Sequence, residues 1–206
     1  MVISLLPEKI RRSGIALLYH EHAFMGIAKT NDSCYNFHMN DTRIFSFDPI
    51  VDENSRILIL GTMPSVKSLE ESFYYAHPRN AFWPIMSDCF ACSVPATVEE
   101  KKTLLLSNRI ALWDTARSCM REGSLDSAMR ETELNDFDSF FRRYPGIEKV
   151  LLNGGTAWAL YHRLPKELVE ARPCVKMPST SPAYTMNYEK KLEIWKREII
   201  RGGERT

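Results

Sequence analysis

A chain of 206 residues with 44% hydrophobic and 26% charged residues has the make-up of a globular α/β domain, which excludes a disordered tail, a collagen and a membrane bundle. Its 27 Lys and Arg stand against 26 Asp and Glu, a formal charge of +1, so any polyanionic partner must be gripped locally rather than drawn in by a global field. Apolar runs such as Ile57-Leu58-Ile59-Leu60 are strand length, far short of the roughly 20 residues of a membrane span. Pro7, Glu8, Lys9, Arg11 and Arg12 interrupt any secretory signal, and five cysteines, an odd number, read as reduced thiols in a cytosolic compartment.

Residues 1 to 45 stand apart as an extension of unclear role, with a short helix expected within Ile10 to Ala28 and a polar stretch over Thr30 to Asn40. Residues 46 to 206 are expected to form one domain. There, β-branched runs alternate with helical stretches, the rhythm of a parallel sheet covered by helices. The expected strands are Arg56 to Leu60, Arg109 to Trp113, Lys149 to Leu152 and Cys174 to Met177. The expected helices are Asn80 to Phe90, the capping box at Thr97-Val98-Glu99-Glu100 running into Leu106, Asp136 to Arg143, Thr156 to Arg163 and Asn187 to Arg201. In the last of these, Tyr188, Leu192, Trp195 and Ile199 form one apolar stripe, and Lys190, Lys191, Glu193, Lys196 and Arg197 take the solvated face.

Ligands of open α/β sheets bind beyond the carboxyl ends of the strands. The segments found there are Gly61-Thr62-Met63-Pro64-Ser65, then Tyr74-Tyr75-Ala76-His77-Pro78-Arg79-Asn80-Ala81-Phe82-Trp83; Asp114; Asn153-Gly154-Gly155; and Pro178-Ser179-Thr180-Ser181-Pro182-Ala183. Small residues, hydroxyls and backbone N–H groups suit the close approach of a phosphate backbone, and the aromatics suit a flat ring.

The segments over residues 61–65 and 75–83 resemble the first motif of the uracil-DNA glycosylase superfamily, and more narrowly its hypoxanthine (deoxyinosine) DNA glycosylase branch. Leu112-Trp113-Asp114, Ser118-Cys119, Gly123-Ser124-Leu125-Asp126, Asn153-Gly154 and Pro178 to Ala183 follow in the family's order, so the resemblance covers about residues 47 to 200. It implies a three-layer α/β/α sandwich around a mainly parallel four-stranded sheet. It also implies an enzyme that cuts the N-glycosidic bond of a deaminated base, hypoxanthine or uracil, flipped out of DNA. Mismatch-specific relatives carry an Asn where this chain has Met63, and a thioether cannot orient water. The resemblance therefore passes the catalytic role to Asn80, which holds the attacking water, with Asn153 contributing at the base edge. Tyr75 aligns with the aromatic that covers the flipped base; Thr62, Met63 and His77 complete the substrate-binding set; and Pro64, Ser65, Ser179, Ser181 and Pro182 hold the DNA backbone.

Other assignments compete for some of these residues. His77 before a proline can simply hold its loop, Asn153 can shape a turn, and Phe82 and Trp83 suit core packing. Asp114 fits a supporting group, a metal ligand, a general base or a hydrogen-bonded turn residue. Cys89 and Cys92 have CxxC spacing, but Cys34, Cys119 and Cys174 lack a matching pair, so neither metal nor other cofactor is expected. No lysine falls in the matched motifs to form a Schiff base. The expected partner is DNA bearing deaminated bases, handled by a monomer with no membrane attachment. The rival is a silent module of the same fold that binds damaged or single-stranded DNA without cutting.

Overall fold

The computed structural model describes residues 43–200. The expectations for residues 1–42, including the helix within Ile10 to Ala28, lie outside them.

Five residues buried on both faces, Ile-Leu-Ile-Leu-Gly, cannot form an edge strand, and β2 (Ile57–Gly61) lies in the middle of a parallel sheet. It pairs with β3 (Ile110–Asp114) on one side and β6 (Lys149–Asn153) on the other, and β7 (Cys174–Met177) completes the order β3-β2-β6-β7. These are the four strands the β-branched runs predict, in the sandwich the resemblance implies.

Alternation along the strands divides the core. Ile57, Ile59, Ile110, Leu112 and Leu151 face a layer made by α2 (Phe82–Cys89), α3 (Val98–Ser107) and α7 (Tyr188–Ile200), whose Phe82, Ile85, Met86, Leu105, Trp195 and Ile199 they pack against. Leu58, Leu60, Ala111, Val150 and Leu152 face α4 (Phe137–Arg143), α5 (Gly155–Tyr161) and α6 (Lys166–Glu170), through Phe137, Phe140, Phe141, Ala157, Tyr161 and Val169. The capping box forms at α3 as predicted: Thr97 accepts from the Glu100 N–H, and the Glu100 carboxylate accepts from that of Thr97.

Three features depart from the expectations. A second, antiparallel sheet of β1 (Arg43–Phe45), β4 (Ala116–Met120) and β5 (Arg130–Leu134), in the order β1-β4-β5, was not foreseen. It buries Ala116 and Cys119 against Met63 and Leu160. Lys191, assigned to the solvated face of α7, is 4% exposed, with its ammonium 5.4 Å from the Tyr184 ring centre. It sits one turn from Tyr188 and Trp195, at the margin of the stripe, where a long aliphatic stem can be buried beneath its charged end. Cys89 and Cys92, whose spacing predicts one apolar helix carrying both, are separated: Cys89 is buried within α2, and Cys92 lies past its end and is exposed.

Candidate nucleic-acid site

The four parallel strands end together, and the loops leaving them enclose a cavity of about 310 Å³, within the usual range of about 300–1,000 Å³ for small-molecule sites. Of the eleven site residues drawn from the sequence, Thr62, Met63, Pro64, Ser65, Tyr75, Asn80, Asn153, Ser179 and Ser181 line it. His77 and Pro182 do not. The His77 ring accepts the Arg79 N–H at 3.1 Å through Nδ1 and its carbonyl accepts that of Asn80 at 2.8 Å, so it shapes the turn and leaves the cavity wall to Asn80. Pro182 stands exposed, in a loop that turns its two neighbouring serines, Ser179 and Ser181, inward instead.

Tyr75 is held in a rare backbone state. Its φ of 51° lies in the left-handed region, which costs a bulky residue on the order of 1–3 kcal/mol unless the surroundings enforce it. Two contacts do so. One face of its ring stacks on Phe82 at 4.1 Å between centroids, and its hydroxyl accepts a 3.0 Å hydrogen bond from Asn153 Nδ2. Burial and the nearby Asp114 carboxyl push the hydroxyl far above the ordinary phenol range, so it stays protonated.

Asn80 stands just before α2. Its Oδ1 accepts the Phe82 N–H at 3.0 Å, satisfying one of the helix's free donors and fixing the plane of the amide at the cavity wall. One lone pair of Oδ1 is thereby engaged, and the second stays available to a water. The loop after β7 is tied to the same place, because the Ala81 N–H donates to the Thr180 carbonyl at 3.0 Å.

Asn153 closes β6. Its two amide hydrogens go to Tyr75 Oη at 3.0 Å and Thr180 Oγ1 at 2.9 Å, and its Oδ1 accepts the Thr180 N–H at 2.9 Å. The amide that the sequence assigns to the base edge has no free N–H; it acts as a strut joining β6, the Tyr75 loop and the loop after β7. Next to it, Gly154 has a φ of 103°, and a side chain there would press on Ser179 Cβ at 3.1 Å. Ser65 caps α1 (Val66–Glu70) by accepting from Ser68 N–H at 3.1 Å, while Ser179 and Ser181 accept backbone N–H groups two residues on. The Ser179 and Ser181 hydroxyls keep their own hydrogens to donate outward, while Ser65 Oγ also lies 3.0 Å from Ser68 Oγ, with which it shares a hydrogen bond.

The floor carries charge that the sequence left unassigned. Asp114, 3% exposed, ends β3 beside Gly61, where a Cβ would fall 2.5 Å from Asp114 Oδ1 and 2.9 Å from Tyr75 Oη. Its Oδ2 is sealed from solvent with no hydrogen-bond partner. Desolvation above all, together with the neighbouring Asp126, pushes its carboxyl up to about 8, against an opposing pull from Arg121. Asp126 also lines the cavity; burial raises its carboxyl, while hydrogen bonds from Thr62 and Thr156 lower it. Arg121 is fully buried, donates through Nε to Gly123 O at 2.9 Å and through Nη2 to Pro64 O, and lies 3.9 Å from Asp126. It thus joins the Pro64 turn to the segment carrying Ser124, Leu125 and Asp126. Leu125, 63% exposed, and Tyr184, 43% exposed, stand at the mouth. The sequence places Asp126 and Thr180 within motifs but gives them no role, and leaves Arg121 out, because what each does is set by partners far along the chain: Thr62 and Thr156 for Asp126, Asn153 for Thr180 and Pro64 for Arg121. Among the described residues no group of three or more His, Cys, Asp or Glu side chains is arranged to hold a metal ion.

Known proteins resemble this chain in sequence and in fold. The model of the uracil DNA glycosylase superfamily matches residues 49–201. Curated relatives include a hypoxanthine DNA glycosylase of Methanosarcina acetivorans, 38% identical over 112 residues, or 54% of this chain and 71% of that protein. One of Methanosarcina barkeri with the same name is 34% identical over 109 residues, covering 52% and 69%. A solution structure of a candidate uracil DNA glycosylase from Methanosarcina acetivorans superposes with a TM-score of 0.66 at 31% identity, covering 77% of this chain and 99% of the other.

Proposed function

The chain belongs to the uracil DNA glycosylase superfamily, and from that premise we propose that it hydrolyses the N-glycosidic bond of a deaminated base everted from DNA, with hypoxanthine as the preferred lesion. The observation that carries the proposal is that an aromatic ring and a pinned carboxamide, Tyr75 and Asn80, line one cavity at the carboxyl ends of the parallel strands. The hypoxanthine preference follows the two relatives that bear that name.

Eversion costs a few kcal/mol, least for a damaged or mispaired base, and stacking on an aromatic returns about 1–3 kcal/mol. Tyr75 supplies that ring already fixed: Phe82 backs one side and the base stacks on the cavity side. Leu125 and Tyr184 at the mouth are placed to fill the gap left in the stack. As the C1′–N bond breaks, its electron pair leaves with the base and positive charge develops on the sugar. Asn80 holds a water on the far side of C1′ through the open lone pair of Oδ1. An amide is no base, so it orients the water rather than deprotonating it, and the proton that the water loses on bonding C1′ passes to the departing base, which carries the electron pair of the broken bond. Ser65, Ser179 and Ser181 donate to phosphate oxygens, and Asn153 acts by holding Tyr75 in place.

Met63 favours the rival reading of a silent binder, since its thioether packs on Ala116, Cys119 and Leu160 and brings no polar group to the water's position. Incubation of a duplex containing deoxyinosine, followed by alkali, separates the two. Strand breaks at the lesion, with no covalent adduct trapped by borohydride, are expected; binding without a break would establish the silent module.

A further inference from the structure

We infer that Asp114 is the residue that identifies the lesion: as a neutral carboxylic acid at the cavity floor, it donates a hydrogen bond to the carbonyl oxygen that deamination leaves where an amine stood. This rests on reading the cavity as a base pocket. Deamination of adenine replaces the N6 amine, a donor, by O6, an acceptor, and deamination of cytosine replaces N4 by O4 in the same sense. A carboxylate in that position would accept from the amine and favour the undamaged base. A carboxylic acid with its proton turned to the cavity favours the lesion.

The surroundings of Asp114 keep it neutral. Oδ2 is sealed and unpartnered, and Oδ1 lies against Gly61, itself part of the cavity wall. An uncompensated carboxylate so placed has lost its hydration with nothing in return, and a carboxyl group avoids that loss by keeping its proton. The groups that bear on it are Asp126 from the 3₁₀ turn Asp126–Ala128, whose charge opposes ionisation, and Arg121 after β4, whose charge favours it. Tyr74 and Tyr75, from the loop before α2, are both held protonated above all by burial and so bring no charge to Asp114. Arg121 spends Nε and Nη2 on the Gly123 and Pro64 carbonyls, its Nη1 lies 3.9 Å from Asp126, and it makes neither a hydrogen bond nor an ion pair with the Asp114 carboxyl, which it reaches only through space. Burial outweighs it, which places the ionisation near pH 8.

The test measures binding, over buffers on either side of about pH 8, to a duplex carrying 2′-fluoro-deoxyinosine, which resists hydrolysis, and to the same duplex with deoxyadenosine. The wild-type preference for the lesion should fall about tenfold from neutral to alkaline pH, the size of one lost hydrogen bond. Asp114→Asn, which cannot ionise, should show a smaller preference that is flat with pH. Asp126→Asn, by removing the charge that opposes ionisation, should move the wild-type midpoint to lower pH, and it serves if the first variant fails to fold. A wild-type preference that does not change with pH, or a decline that survives in Asp114→Asn, would overturn the inference. Parallel excision assays keep the two claims apart. A wild-type chain that discriminates with this pH dependence but never cuts would refute the glycosylase and leave the role of Asp114 standing.

Discussion

At the scale of single residues, the cavity is built from side chains whose freedom has been removed. Tyr75 is kept in left-handed backbone by a ring and an amide, and Asn80 is kept in plane by the N–H of Phe82. Replacing Asn80 by Ala should lower single-turnover excision of deoxyinosine by about 10²–10³-fold, the usual effect of losing one positioned polar group, with thermal unfolding near that of the wild type. Unimpaired cutting by that variant would remove Asn80 from the mechanism. Asp114 adds a stability prediction. Its carboxyl is raised from 3.8 to about 8, so between those values the folded state binds more protons than the unfolded one, and stability must fall as pH rises through that window. Melting curves should therefore show Asp114→Asn gaining on the wild type from about pH 4 to about pH 8 and no further above it. A constant difference would mean that Asp114 is already ionised.

Among the elements, those that carry the site were the most legible. The runs at the heart of β2, β3 and β6 are short and apolar on both faces, which only a covered parallel sheet accommodates, and the alternation Ile57, Ile59 against Leu58, Leu60 divides its two helical layers. The antiparallel sheet escaped notice because Ala-Arg-Ser-Cys-Met and Arg-Glu-Thr-Glu-Leu carry little apolar periodicity, and their pairing is decided by contact rather than by local preference. Gly61 joins element to site: Asp114 Oδ1 and Tyr75 Oη occupy the space a methyl group would need. Gly61→Ala should lose stability by about 1–3 kcal/mol and lose lesion discrimination with it, measured by denaturant unfolding and by the paired duplexes. In α7, Trp195 is fully buried and donates through Nε1 to the Pro178 carbonyl at 2.9 Å, at the root of the serine loop. Trp195→Ala should destabilise the domain by about 3–5 kcal/mol and weaken DNA binding in the fraction that stays folded, as read by thermal unfolding and by titration below the transition.

For the whole molecule, a net charge of +1 means that affinity for DNA comes from a few local donors. Binding to an undamaged duplex should weaken with salt along a logarithmic slope no steeper than about −3, corresponding to some three neutralised phosphates; a slope two or three times greater would reveal an extended basic surface instead. The amino-acid sequence on its own determined the sheet, most of the helices and the loops that must meet at the strand ends, because hydrophobic period, caps and loop composition are local properties. The state of the groups within those loops belonged to the tertiary structure. Asn153 became a strut, His77 was left outside the cavity, and the Asp114 carboxyl was pushed up by burial, since each outcome depends on which distant neighbours remove water from a polar atom and which of them replace it.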